Sequence, residues 1–174
     1  KLANIYLLGR KIEDVRREAD YILGKDPKNF DAILVLAAIA TIPQDVDSTI
    51  NMLQALKPEY GDKARYHMAL GTLYMRKGQP AQAEQAFKEA VRLDPKSADT
   101  HNALGDFFAS QNKLAEAREQ FKTAADLAPP ASLAWLKLAD FYLRTNEPEE
   151  AKKILKEITE KAPDSIPAWQ QLAQ

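Results

Sequence analysis

The side chains in this sequence with the widest chemical range are its two histidines, His67 and His101. Two imidazoles invite two readings: shared ligation of a metal, or general acid–base chemistry near neutral pH. Their spacing argues against both. They stand 34 residues apart, and the same step reaches Ile33, Trp135 and Trp169, which are neither metal ligands nor proton carriers. Equivalent side chains in successive layers of packed helices lie about 8–10 Å apart, whereas metal ligands must approach to about 2 Å. The column therefore reads as structural. Other chemistries lack their residues. Without cysteine there is no disulfide, thiolate site or sulfur nucleophile. The six glycines are scattered, not gathered into a phosphate-binding loop. No His-Glu-x-x-His, Asp-rich calcium loop or Gly-x-Ser-x-Gly occurs. No catalytic, cofactor-binding or metal-ligating residue is assigned, and the chain is expected to be a non-enzyme that needs no cofactor.

The interval that explains the histidines runs through the whole chain. Leu2, Leu36, Leu70, Leu104, Leu138 and Leu172 recur every 34 residues, each followed by a small residue (Ala3, Ala37, Gly71, Gly105, Ala139, Ala173). Three positions further stand Tyr6, Ala40, Tyr74, Phe108 and Tyr142. A second set of columns keeps the same register. Ala83, Ala117 and Ala151 are followed four residues later by Phe87, Phe121 and Leu155, then by Ala90, Ala124 and Ile158. Looser members of these columns are Val15, Ala19 and Ile22, and Thr49, Leu53 and Leu56. Within a unit the spacing is helical. Between the halves lie turn signals, Lys77-Gly78-Gln79-Pro80, Gln111-Asn112-Lys113 and Thr145-Asn146-Glu147-Pro148. Gly and Asn tolerate the left-handed conformation that ends a helix, and proline suits the first turn of the next. Pro27, Pro95, Pro129 and Pro163 close four units. Each unit is thus helix, tight turn, antiparallel helix and stop.

On these residues the chain resembles the tetratricopeptide repeat. The likeness is strongest over residues 64–131, good over 132–163, and degraded over 30–63, where Ala40 replaces the aromatic, Thr49 the alanine and Gly61 the proline. It implies an all-α fold: a right-handed α-solenoid of antiparallel helix pairs, the tetratricopeptide superhelix. The expected organisation is a single array over residues 1–174. A partial repeat spans 1–29, full repeats span 30–63, 64–97, 98–131 and 132–165, and 166–174 begin a further repeat or form a cap. Each pair buries only one side by itself, so neighbours must stack to complete a core. The small columns let the paired helices approach closely, with Leu and aromatic residues filling the gaps beside them.

The resemblance also implies a concave groove lined by the outward residues of each first helix. By position these are Arg65, Met68, Thr72, Met75 and Arg76; then Asp99, Asn102, Asp106, Ala109 and Ser110; then Leu133, Leu136, Asp140, Leu143 and Arg144. Met68, Met75, Leu136 and Leu143 are not required for the core in this scheme. An adaptable Met and Leu surface flanked by charge suits an amphipathic helix or extended peptide. The chaperone-tail binders of the family hold a terminal carboxylate in a Lys, Arg and Asn clamp. The matching slots here are Met68, Thr72, Ala103, Leu133 and Lys137, or one repeat earlier Leu34, Ala38, Ala69, Asp99 and Ala103, and neither set is a clamp. The asparagine ladder of the sugar-transferase members is replaced by Val35, Ala69, Ala103 and Lys137.

Charge and hydropathy narrow the partners. Lys and Arg total 24 against 25 for Asp and Glu, a net charge of −1, without the basic surplus that replaces counterions along phosphates. No apolar run approaches the roughly 18–20 residues that span a bilayer, and residues 1–10 lack the segments of a signal peptide. Residues 149–161 have the spacing of a solvated, ion-paired helix face, as in Glu150 with Lys153 and Glu157 with Lys161. The expected partner is a protein or peptide, with no nucleic acid and no small-molecule substrate. The alternative is a substrate-recruiting or regulatory module of a larger enzyme or of a secretion or assembly machine. Leu2, Ile5, Tyr6, Leu7 and Leu8 make the first helix apolar on nearly every face. Earlier repeats or a partner are expected to cover that end, and self-association through it is a further expectation. At the other end Ile166, Trp169 and Leu172 form an apolar stripe opposite Gln170, Gln171 and Gln174, as a capping helix would.

Overall fold

The computed structural model describes residues 2–172, with residues 2–10 described by their backbone alone. The side chains on which the expectation of an all-apolar first helix rests, and Ala173 and Gln174, lie outside the described residues. Every element among the described residues is helical. They are α1 (Leu2–Lys25), α2 (Phe30–Ile39), α3 (Pro43–Ala55), α4 (Lys57–Tyr60), α5 (Ala64–Arg76), α6 (Pro80–Leu93), α7 (Ala98–Ser110), α8 (Leu114–Leu127), α9 (Leu133–Arg144), α10 (Pro148–Lys161) and α11 (Ile166–Leu172). Among the described residues no helix is long and apolar enough to cross a membrane. The chain divides into two compact units, Lys1–Ala90 and Val91–Gln174.

The turns inside the helix pairs follow from residue type. Gly78, Asn112 and Asn146 have φ of 72°, 58° and 62°. At each, the next residue's N–H reaches back to a carbonyl five residues earlier: Gln79 to Tyr74, Lys113 to Phe108 and Glu147 to Tyr142, all at 2.9 Å. This bond closes a Schellman motif and satisfies a carbonyl that the helix end leaves free. Upstream the pattern changes. The position 34 residues before Gly78 is Gln44, and here Pro43 opens α3 while the preceding Ile42 is extended (φ −95°, ψ 149°), as a residue before proline must be. α2 is accordingly only 10 residues long, against 13 for α5 and α7. One interval further back stands Arg10. With neither Gly nor Asn there, and Ile12 in the slot of Pro80, nothing breaks the helix. The helix–turn–helix scheme gives way to one continuous α1 of 24 residues.

In the first unit α1 packs on α2, and α2 on α3 and α5. The core joins Ile33, Ala37, Ile50, Leu53, Leu56, Tyr66, Leu70 and Leu73, with Ala86 from α6. Phe30 and Tyr60 stack at its edge with ring centroids 4.2 Å apart. In the second unit α7 packs on α8, α8 on α9, α9 on α10, and α10 on α11. Phe121 and Phe141 meet with centroids 5.3 Å apart, and Ala139, Leu155, Ile158 and Ala168 form a further cluster. On the outer face of α10 the expected ion pairs are made, Lys153 with Glu150 at 2.8 Å and Lys161 with Glu157 at 2.5 Å. The first draws Lys153 above its ordinary pKa and Glu150 below its own, through their shared hydrogen bond. At α11, Ala168 is buried while Ile166 and Trp169 stay largely in solvent.

Within the helix pairs, the residue after the repeating Leu is matched in size to the residue 16 positions on. A Cβ added to Gly71 would stand 2.8 Å from the Phe87 ring, and one on Gly105 would stand 3.0 Å from the Phe121 ring. Where the facing residue is Leu, the helix carries alanine instead: Ala37 shares a cluster with Leu53, and Ala139 with Leu155. Ring meets glycine and isobutyl meets methyl. The linker between α8 and α9 is less relaxed, because Ala131 holds a φ of 65°, where a Cβ costs about 1–2 kcal/mol.

Gly71→Ala should cost roughly 1–3 kcal/mol by overpacking, less about 1 kcal/mol of gained helix propensity, and Phe87→Leu should cost a similar amount through a void. The double variant recreates the Ala and Leu pairing found elsewhere in the chain. A urea-denaturation cycle should therefore show a coupling of at least about 1 kcal/mol; additive costs would refute the size-matching account. Ala131→Gly should raise the denaturation midpoint, by about 1 kcal/mol of stability.

Candidate functional site

In the first unit, the outward face of α5 lies against α2. Met68 and Thr72 are half-buried and line a cleft of about 140 Å³ with Leu34, Ala37, Ala38 and Ala69. Thr72 Oγ1 donates to the Met68 carbonyl at 3.0 Å, so the polar end of that side chain is satisfied and its methyl group adds to an apolar wall. Arg65 is exposed at the rim and pairs with Asp31 of α2 at 3.2 Å. Met75 is half-buried near the end of α5. Arg76 is placed differently from an open groove residue. Its guanidinium donates to the carbonyls of Ala37, Ala40 and Ala38 at 2.6, 2.8 and 2.9 Å. It thus caps the C-terminus of α2, where cation and helix dipole attract.

In the second unit the expected residues fall on α7 and α9. Asn102 is buried, and its Oδ1 has no hydrogen-bond partner. Asp106 is exposed and paired with Lys137 of α9, so the cation in one slot of the carboxylate-clamp frame already has an anion. Asp140 and Arg144 approach to 3.8 Å along α9. Leu133 is 65% exposed at the first turn of α9, and Leu143 is half-buried. Asp99 is exposed, and Ser110 turns its hydroxyl back onto the Phe107 carbonyl at 2.7 Å. Leu136 differs from its expected role. It packs against the cluster of Ala139, Leu155, Ile158 and Ala168, which α9 shares with α10 and α11. It is therefore part of the core as well as of the surface.

Both histidines, and both tryptophans of their column, perform one task. His67 Nε2 lies 2.9 Å from the Gly61 carbonyl, and His101 Nε2 lies 3.1 Å from that of Pro95. Trp135 Nε1 donates to Ala128 at 3.3 Å, and Trp169 Nε1 to Pro163 at 2.9 Å. A carbonyl can only accept, so each histidine carries its hydrogen on Nε2. Each ring thus ties the start of a helix to the linker six or seven residues before it. His101 Nδ1 is also engaged, 2.8 Å from the side-chain amide of Gln120. With both of its nitrogens held, the His101 ring is fixed in place as a structural group.

The chain belongs to the tetratricopeptide repeat family. Models of that repeat match residues 68–132 and 108–174, together more than half of its length. No curated protein sequence matches it. Among solved structures it is similar to TTC0263, a thermophilic TPR protein of Thermus thermophilus, with 22% identity and a TM-score of 0.77 over 98% of this chain and 93% of that one. It is similar to YrrB, a TPR protein with an unusual peptide-binding site, at 19% identity and a TM-score of 0.61 over 99% and 89% of the two chains. A third likeness is to the APC/C hetero-tetramer Cut9-Hcn1, at 19% identity and a TM-score of 0.67, covering 92% of this chain and 31% of that one. What is shared at these identities is the all-α helix-pair fold.

His67→Trp keeps a donor for the Gly61 carbonyl and copies the residue used at 135 and 169, so its stability should stay within about 1 kcal/mol of the parent. His67→Phe keeps a ring but loses the donor, and should cost about 1–3 kcal/mol if the carbonyl is left unpaired. Equal midpoints for the two variants in chemical denaturation would show that the tether is not what the ring supplies.

Proposed function

We propose that the chain is a non-enzymatic protein-interaction scaffold that holds a peptide or helical segment of a partner on the outward faces of its first helices. The observation that carries this reading is the cleft of Met68, Thr72, Leu34 and Ala38, an apolar depression that leaves a Met side chain half in solvent. Methionine adapts its shape to different apolar groups at low cost. The rims carry ion pairs, Arg65 with Asp31 in one unit and Asp106 with Lys137 in the other. Exposed pairs of this kind contribute about 0–1 kcal/mol each, so a partner's charges can replace them without a large loss. Arg65, Met68, Thr72 and Met75 belong to the first patch, with Arg76 holding its floor through the end of α2. Asn102, Asp106, Leu133, Leu136, Asp140, Leu143 and Arg144 belong to the second. Family membership supports the reading, and so do the peptide-binding site of YrrB and the hetero-tetramer of Cut9 with Hcn1.

The test is selection of a random-peptide display library against the full chain, followed by affinity measurement on two variants. Leu133→Asp removes an exposed apolar group and places an acid in the first turn of α9, where the helix dipole favours it. Met68→Asp changes a residue outside the core clusters. Each should weaken selected peptides at least about tenfold, equivalent to about 1.4 kcal/mol, while the melting transition moves little. Selection of no peptides, or of peptides indifferent to both changes, would refute the proposal.

A further inference from the structure

α1 carries an apolar stripe that its own unit covers only in part. Ile12, Val15, Ala19 and Ile22 follow one another at intervals of three, four and three residues, the spacing of a heptad seam. Ala19 is buried against Ala32 and Leu36 of α2. Ile12, Val15 and Ile22 are 37%, 43% and 36% exposed. Beside them Val35 of α2 is also exposed, and with Val15, Ala19, Ile22 and Ala32 it forms an apolar trough bounded by Glu18 and Asp31. The opposite flank of α1 is engaged: Leu23 packs on the core and Arg16 pairs with Asp45 of α3. A helix of 24 residues is about 36 Å long, and α2, with 10 residues, faces less than half of it.

Charge selects what fits the trough. Lys11 and Glu18 flank the seam on its open side, seven residues apart, and among the described residues neither has an ion-pair partner. An antiparallel second α1 with its Val15 opposite Ile12 brings its Glu18 beside Lys11 and its Lys11 beside Glu18. The two-fold axis thus satisfies both charges twice. A parallel second α1 would instead set Lys11 near Arg16 of the other copy, where heptad pairs of like charge repel. We infer that this stripe is a self-association surface, on which two copies of the chain pair their α1 helices antiparallel, each lying in the trough between α1 and α2 of the other. The surface shares no residue with the proposed peptide-binding patches except through the Asp31 rim, so the two readings stand or fall separately.

Sedimentation equilibrium of the full chain over about a hundredfold concentration range tests the inference. A reversible monomer–dimer transition is expected. Val15→Glu with Ile22→Glu should abolish it while the circular dichroism spectrum is unchanged. Lys11→Glu alone and Glu18→Lys alone should each weaken the dimer at least about tenfold, and the double exchange should restore it. These are exposed positions, so the charge series is readable even where the apolar pair disturbs folding. A chain monomeric at every concentration overturns the inference, and so does a dimer indifferent to the charge series. A dimer strengthened by Lys11→Glu, as a parallel arrangement requires, overturns it too.

Discussion

Two helices joined by a short turn can pack only as closely as the side chains between them permit. In this chain that distance is governed by the atoms facing the residue after the repeating leucine. A phenyl ring fills the space left by glycine at Gly71 and Gly105, and a smaller leucine meets alanine at Ala37 and Ala139. The sum of the two sizes is held while the individual residues change. With this distance held, the alanines and leucines of the second helices reach full burial, and the outward faces of the first helices remain for other uses. Everything proposed about binding depends on that partition of each helix into a packed side and a free one.

The partition was legible in the sequence wherever it rests on local rules. Gly78, Asn112 and Asn146 ended their helices in the left-handed conformation that their residue types permit, and the columns in step with them are buried over residues 36–158 apart from the half-buried Tyr74, whereas Val15 and Ile22, their looser members in α1, are exposed. The histidines belonged to a structural column, as their spacing implied, although the carbonyls they bind were not readable from a column alone. A six-residue reach back into a linker depends on how that linker turns. The two ends of the legible region had different reasons for departing from the pattern. Pro43 shortened α2 by fixing Ile42 as extended. At Arg10, where the later units carry Gly or Asn, α1 runs on unbroken.

The candidate site was less legible, for a reason tied to range. Met68 and Thr72 line a cleft whose other wall comes from Leu34, Ala37 and Ala38, one repeat earlier. Leu136 occupies an outward slot and still packs on the core, because burial at the side of a helix depends on how far the neighbouring helix reaches round it. Asn102 occupies an equivalent slot and is buried. Position in a repeat assigns a face, and the neighbour decides how much of that face remains open.

Arg76 illustrates a different kind of dependence. Its guanidinium holds three carbonyls at the end of α2, 36 to 39 residues earlier in the chain. Fraying of the last turn of α2 gives up three hydrogen bonds from α5, and release of the end of α5 uncovers those acceptors on α2. In a linear array each module would otherwise melt at a temperature set by its own packing. A bond of this type adds a nearest-neighbour term to that local stability. That term ties the short second module, with the poorest match to the repeat, to the better-formed module that follows it.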